Sequence, residues 1–227
     1  MAQHSGARLR EGVRIVVVDD HPVSRKGLIG LLESEEGFVV CGETDDPAET
    51  RRLIDREHPD LVLVDLSLGR GSGLDLVRQI RQLAPSVSVL VVSMHEERLY
   101  AERALRAGAS GYISKSESPD RVIEAVRTVL AGQIYLSDEG ARRLLERAYQ
   151  GGGVDSDDPA QTLSDRELEI FVLIGEGLST RLVAERLERS IKTIETHRDN
   201  IRHKLGDIDS ATLVQRAVAW HLKNRGV

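Results

Sequence analysis

Five residues stand where apolar runs of this chain end. Asp19 and Asp20 close the run Ile15 to Val18, and Asp65 closes Leu61 to Val64. Ser93 ends VSVLVVS, and Lys115 follows SGYIS. If those runs are neighbouring strands, three carboxylates, a hydroxyl and an ammonium meet along one edge of a sheet. Carboxylates within a few ångströms of one another oppose each other's ionisation unless something neutralises them. A divalent cation is the natural partner, and clustered oxygens without cysteine or paired histidine point to Mg2+ rather than Zn2+. A single aspartate at a strand end is ordinarily a turn residue or a helix cap. The joint placement at four of five strand ends carries the inference.

The elements that would position these residues repeat one unit. RIVVV (14–18), FVVCG (38–42), LVLVD (61–65), VSVLVVS (87–93) and SGYIS (110–114) are short and rich in valine and isoleucine. The second and fourth suit strands buried on both faces. Helical spacing separates the runs. Val23, Leu28, Leu31 and Leu32 line one helix, and Leu74, Val77, Ile80 and Leu83 another. Leu99, Ala104 and Leu105 precede Gly108, and Val122, Ile123, Val126 and Val129 precede Gly132. Strand alternating with helix predicts a parallel sheet covered by helices. In such sheets ligands bind outside the carboxyl ends of the strands, where the five residues fall.

The stretch QGGGVDSDDPAQ (150–161) holds three glycines, three aspartates and a proline, and reads as a flexible linker. About 11 such residues span roughly 18 Å, enough to let two domains dock or separate. The net charge of −6 is uneven across it. From Ala160 onward 11 basic and 10 acidic residues nearly cancel, and the acidic excess lies before it.

Beyond the linker, Ser164 and Glu167 form the S-x-x-E pattern that opens a helix. Ser179, Ser190 and Ser210 are expected to cap three more, with Leu182, Val183 and Leu187 inward on the second. Four short helices predict a compact bundle whose second and third members form a helix-turn-helix. On the third, Ile191, Ile194, Ile201 and Leu205 share one face, while Lys192, Thr196, Asp199 and His203 lie opposite, flanked by Glu195 and Asn200. Charge alone argues little for nucleic acid, because strong DNA binders are usually basic.

The order VVDDH, LVDLSL, VVSMH, GYISKS resembles the receiver domain of bacterial two-component response regulators over about Arg14 to Gly132. LSDRE, GEGLST, VAERL, KTIETH and NIRHKLG resemble the LuxR-type, or NarL/FixJ, DNA-binding domain. The resemblance implies a five-stranded parallel, doubly wound, flavodoxin-like α/β domain (1–132) and a connecting helix and linker (133–161). A small all-α four-helix domain (162–227) follows. It implies Asp65 as phosphoacceptor, with Mg2+ held by Asp20, by Asp19 through water, by Asp65 and by the backbone carbonyl of Ser67. Ser93 and Lys115 would bind the phosphoryl group, and Tyr112 would turn inward when Ser93 moves. Lys192, Glu195, Thr196 and Asp199 would face the DNA groove, and N–H groups near Ser179 and Thr180 would hold a phosphate. Leu213, Val214, Ala217 and Trp220 would serve dimerisation. The implied partners are a sensor histidine kinase, double-stranded DNA and, on phosphorylation, a second copy. Gly69 stands where the family usually has proline, and Ser116 where many receivers have one.

Two other classes compete. An aspartate-nucleophile phosphatase of the haloacid dehalogenase type needs a second aspartate two residues after the first as general acid, and Ser67 occupies that position. An interaction module whose helix-turn-helix no longer binds DNA would show no sequence-selective binding. Cys41, the only cysteine, has no disulfide partner within the chain and suits a reducing compartment. No apolar run approaches the roughly 18 residues of a membrane span, and the opening MAQHSGARLREG lacks the apolar core of a signal peptide. A non-enzymatic cytoplasmic regulator is the expectation.

Overall fold

The computed structural model describes residues 12–69, 72–149 and 158–224; most of the expected linker, 150–157, lies outside them. The chain divides into two compact units between Glu146 and Arg147.

In the first unit, β1 (Val13–Val18), α1 (Pro22–Glu33), β2 (Phe38–Thr44), α2 (Pro47–Glu57) and β3 (Leu61–Val64) come first. Then α3 (Gly73–Leu83), β4 (Ser88–Ser93), α4 (Glu97–Ala107), β5 (Gly111–Ser114) and α5 (Pro119–Leu130) follow. The sheet is parallel with order β2-β1-β3-β4-β5. Alternate strand residues point to opposite faces. Ile15, Val17, Leu61, Leu63, Leu90, Val92 and Ile113 pack with Leu32 of α1 and Val122, Ile123, Val126 and Val129 of α5 in one core. Val16, Val18, Val62, Val64, Val89 and Val91 are buried on the other face. Burial on both faces is why these runs lack polar alternation.

β2 differs from expectation. It is an edge strand, and most of its residues are only partly covered. Its pairing with β1 slips past Cys41, whose thiol donates to the Ile15 carbonyl (3.4 Å). Val23 and Leu83, expected inward, are 86% and 49% exposed because they sit at the first and last turns, beyond the sheet. A helix over 47–57, for which the sequence shows no long apolar stripe, is capped by the Asp46 carboxylate and buries Leu53 and Ile54.

The β5 edge is closed by the chain that leaves α5. The Tyr112 N–H donates to the Tyr135 carbonyl (2.9 Å), and the Tyr135 N–H to Ser110 (3.1 Å). Ser137 then opens α6 (Asp138–Tyr149), and its N–H (2.8 Å) and hydroxyl both donate to the Glu97 carboxylate at the first turn of α4.

The second unit holds α7 (Pro159–Thr162), α8 (Asp165–Gly175), α9 (Thr180–Arg186), α10 (Ile191–Lys204) and α11 (Ser210–Asn224). α7 falls within the expected linker. The Asp158 carboxylate caps it and also accepts from the Trp220 indole (3.1 Å). Leu168, Phe171, Ile174, Val183, Ile194, Ile201, Leu213 and Ala217 form the buried interior. Leu182 (47% exposed) and Ile191 face outward instead, at the starts of α9 and α10 where the helices project past that interior.

One glycine fixes α3 against the site. A Cβ at Gly73 would lie 2.2 Å from the Asp65 carbonyl oxygen, while Gly27 on α1 faces open space. Gly73→Ala is expected to destabilise the protein by about 1–3 kcal/mol through overpacking. Gly27→Ala should stabilise it by about 0.5–1 kcal/mol through helix propensity. Urea unfolding followed by circular dichroism compares the two.

Candidate functional site

In this strand order β1 and β3 are neighbours, and the switch point where such sheets bind ligands lies between them. Asp19 and Asp20 follow β1, and Asp65 follows β3. The side chains of Asp19 and Asp65 are almost fully buried (1% and 2% exposed), and Asp20 is partly exposed. Lys115, beyond β5, extends its ammonium to 2.7 Å from Asp19 Oδ2 and 2.6 Å from Asp65 Oδ2. Burial pushes the Asp65 carboxyl above its usual range and the Asp19 charge adds to this, while Lys115 and the Ser67 N–H oppose the shift. Asp19 also accepts from the Ser24 hydroxyl (2.7 Å) and the His21 N–H (2.8 Å). The Ser67 N–H donates to Asp65 Oδ1 (3.2 Å).

The β4–α4 loop covers this edge. Ser93 is fully buried, and its Oγ accepts from the His95 N–H (3.2 Å). The His95 ring contacts Ser67 Oγ through Nε2 (2.9 Å) and stacks on Tyr100 at 4.7 Å. Tyr112, expected to turn inward on signalling, is already inward: it is fully buried and its hydroxyl donates to the His95 carbonyl (2.8 Å). Burial drives its phenol well above the ordinary range, with a hydrogen bond to Ser93 opposing. His95 therefore joins the loops after β3 and β4. Residue types alone give it no role, because a lone histidine in an exposed-looking MHEE run has no partner visible in sequence.

His21 is a second residue that the sequence reading leaves without a role. Its Nδ1 joins Asp19, Asp20 and Asp65 in a group whose ligand atoms lie within 4.8 Å of one another. The available signal was its adjacency to Asp19 and Asp20. Asp20 Oδ1 is buried and accepts no hydrogen bond, which fits a carboxylate meant for a cation. Asp19, Asp20 and Asp65 thus bring together carboxylate oxygens that could hold a hard divalent ion.

In the second unit the residues expected to face DNA lie on α10. Lys192, Glu195, Thr196 and Asp199 are candidates for it: Lys192 and Glu195 are exposed, Thr196 Oγ1 donates to the Lys192 carbonyl (3.0 Å), and Asp199 pairs with Arg202 (2.9 Å). Arg198 is half-buried, and burial beside Arg202 lowers its pKa. Ser179 caps α9, its Oγ accepting from the Leu182 N–H (3.4 Å), and Thr180 opens that helix.

The four residues expected to serve dimerisation differ in exposure. Leu213 and Ala217 are completely buried within their own unit. Trp220 packs edge-on against Phe171 (5.7 Å) and bonds Asp158. Leu213 and Ala217 are spent on the interior, because α11 lies directly against α8, whereas Trp220 stays partly exposed. Val214 is the most exposed of the four.

Residues 15–127 match the response regulator receiver domain, and residues 161–217 match the bacterial regulatory proteins of the luxR family. The chain belongs to the response regulators that join a receiver domain to a LuxR-type regulatory domain. It is 34% identical over 210 residues to the oxygen regulatory protein NreC of Staphylococcus carnosus, covering 91% of this chain and 97% of that one. It is 37% identical over 206 residues to the transcriptional activator protein ExaE of Pseudomonas putida, covering 90% and 95%. RcsB from Salmonella enterica serovar Typhimurium, solved bound to promoter rprA with phosphomimetic BeF3-, superposes with a TM-score of 0.58. The identity there is 27%, and the coverage 91% of this chain and 98% of that one. The family is one of transcription-regulating proteins rather than enzymes, and no described helix is long and apolar enough to cross a membrane.

One partly buried pair ties the capping of α8 to the end of α10. Ser164 and Glu167 form a reciprocal capping box, and Lys204 Nζ lies 2.7 Å from Glu167 Oε2. Burial raises the Glu167 pKa, but the Lys204 ammonium and the Ser164 N–H outweigh it and hold the carboxyl below its usual range. A depressed carboxylate stabilises the fold above the unfolded pKa of about 4.3 and loses that contribution as pH falls through the lower folded value. Lys204→Met should therefore lower stability at pH 7 by about 1 kcal/mol, since the ammonium is half in solvent. The difference from wild type should shrink once pH falls below the unfolded pKa and vanish only below the lower folded one. Thermal unfolding across pH 3–7, on the order of one scan per half unit, reads it.

Proposed function

We propose that Asp65 accepts a phosphoryl group from a partner histidine kinase and that this controls dimerisation and sequence-specific DNA binding to regulate transcription. The observation that carries the reading is the buried Asp65 carboxylate, paired with Lys115 and facing Asp19 and Asp20 at the sheet's switch point. Asp65 is the nucleophile toward a phosphohistidine. Asp19, Asp20, Asp65 and the Ser67 carbonyl would hold Mg2+, which when bound offsets charge on the transferring group. Lys115 then exchanges a carboxylate oxygen for a phosphoryl oxygen without leaving its position. Ser93 donates its hydroxyl to the new oxygens, which draws the His95 N–H along because it is bonded to Ser93 Oγ. Tyr112 is already inward and acts by holding the His95 carbonyl, so the movement is passed to α4.

On DNA, Lys192, Glu195 and Thr196 reach base edges from α10, while Asp199 orients Arg202 toward the backbone. Arg202 and the N–H groups near Ser179 and Thr180 supply phosphate contacts. With so little excess positive charge, one copy binds weakly, and two copies on adjacent half-sites supply affinity and specificity together. Val214 is the exposed member of the expected set on α11 and would meet the second copy. Action in the cytoplasm is part of this reading, since double-stranded DNA is the target.

Three outcomes test this. Asp65→Asn should abolish labelling by acetyl phosphate in the presence of Mg2+, and both chelation and Asp20→Ala should do the same to labelling at Asp65. Full labelling of Asp65→Asn, read by intact-protein mass spectrometry, would place the phosphoryl group elsewhere. On a randomised half-site library, Glu195→Ala should shift preference at one base position by about 1–3 kcal/mol. A uniform change in affinity with an unchanged profile would remove Glu195 from the base contacts.

A further inference from the structure

We propose that His21 is a nitrogen ligand of the Asp19, Asp20 and Asp65 metal site and that it gives the site a preference for a first-row transition ion over Mg2+. The proposal rests on the reading of that acidic cluster as a metal site. The His21 Nδ1 lies 2.7 Å from Asp20 Oδ1, 3.7 Å from Asp19 Oδ1 and 3.8 Å from Asp65 Oδ2. An octahedral ion with ligands at about 2.1 Å sets neighbouring ligand atoms about 3.0 Å apart and opposite ones about 4.2 Å apart. The separations in this group, from 2.7 Å to at most 4.8 Å, are close to that span. One ion can therefore be shared by the four residues with a small closure of the group.

The contact between His21 and Asp20 is the telling one. Asp20 Oδ1 is buried and accepts no hydrogen bond, although the ring nitrogen is only 2.7 Å away. The nitrogen is near but is not aimed as a donor. Nitrogen and oxygen sit side by side, as two ligands of one ion do. Apart from its contacts with these carboxylates, the ring takes none of the ordinary structural roles of a histidine. The ring is 65% exposed, so it fills no core. His21 is the N-cap residue of α1, yet its side chain caps nothing. Pro22 follows, and a residue before proline is held extended; His21 has φ −92 and ψ 106. The backbone thus fixes where the imidazole leaves the chain, beside the cluster.

The chemistry follows from the donor types. Carboxylate, carbonyl and water suit Mg2+, whereas imidazole suits the transition series. Mg2+ also keeps several of its waters, so one more protein ligand changes its binding little. A transition ion gains directly from the nitrogen.

The test uses the untagged full-length protein and two probes, Co2+ by calorimetry with its visible absorption, and Mg2+ by competition against it. The part of Co2+ binding that Asp20→Ala removes defines the site. His21→Ala and His21→Gln should each weaken Co2+ there by about tenfold or more and leave Mg2+ within about twofold. The visible bands of site-bound Co2+ should shift with loss of the nitrogen. Equal weakening of both ions, or no change in either, overturns the proposal while leaving the acidic site intact. If Asp20→Ala removes no binding of either ion from the wild type, the metal reading of the cluster falls, and the proposal with it.

Discussion

The Lys115 ammonium, shared between the Asp19 and Asp65 carboxylates, is the interaction on which the first unit is organised. Two carboxylates this deeply buried are too costly to keep charged without a cation between them. The cation has to come from the far side of the sheet. Asp19 and Asp65 follow adjacent strands, β1 and β3, whereas Lys115 follows β5, with β4 intervening. Only a long side chain spans that gap, and it must pass over the end of β4, where a bulky residue would block it. Ser93 is there, small, buried and polar. Lysine at one position and serine at the other are consequences of the strand order as much as of phosphoryl chemistry. The same holds for Gly73, whose missing Cβ lets α3 seat directly on the backbone of Asp65.

Strands buried on both faces announce themselves, because a short, unbroken aliphatic run between turn residues fits little else. β1, β3 and β4 are legible in the sequence for that reason. So is the clustering of Asp19, Asp20, Asp65, Ser93 and Lys115, since parallel strands must bring their carboxyl ends to one edge. β2 departs from the reading because an apolar run says nothing about whether a strand lies at the edge. The exposed Val23 and Leu182 show the same limit for helices, where spacing gives a face but not how far the core extends along it. Contacts made by loops were beyond reach. His95 meets Ser67 across 28 residues, and His21 meets Asp65 from a different strand end, through turns that no periodicity describes.

In the second unit, stability and recognition compete for the same short helices. α11 was expected to offer apolar residues to a partner, but Leu213, Ala217 and Trp220 close its own interior. A bundle this small cannot leave many large aliphatic or aromatic side chains outside. What remains for the DNA contacts proposed above is the polar outer face of α10, held in place by Ile194 and Ile201 beneath it. Lys204 shows the overlap well, because a basic residue on the reading helix is tied down by Glu167.

The fastening of Ser137 to Glu97 gives the exit path of the chain a mechanical character. Both donors of the residue that opens α6 are held by a carboxylate on the first turn of α4, and a Cβ at Gly140 would lie only 2.8 Å from that carboxylate. The joint is tight, with its pivot at one end of a stiff rod. A 12-residue helix is about 18 Å long. A tilt of roughly 5° at the pivot displaces the far end by about 1.6 Å, so α6 acts as a lever that enlarges angular changes too small to break any bond at the hinge.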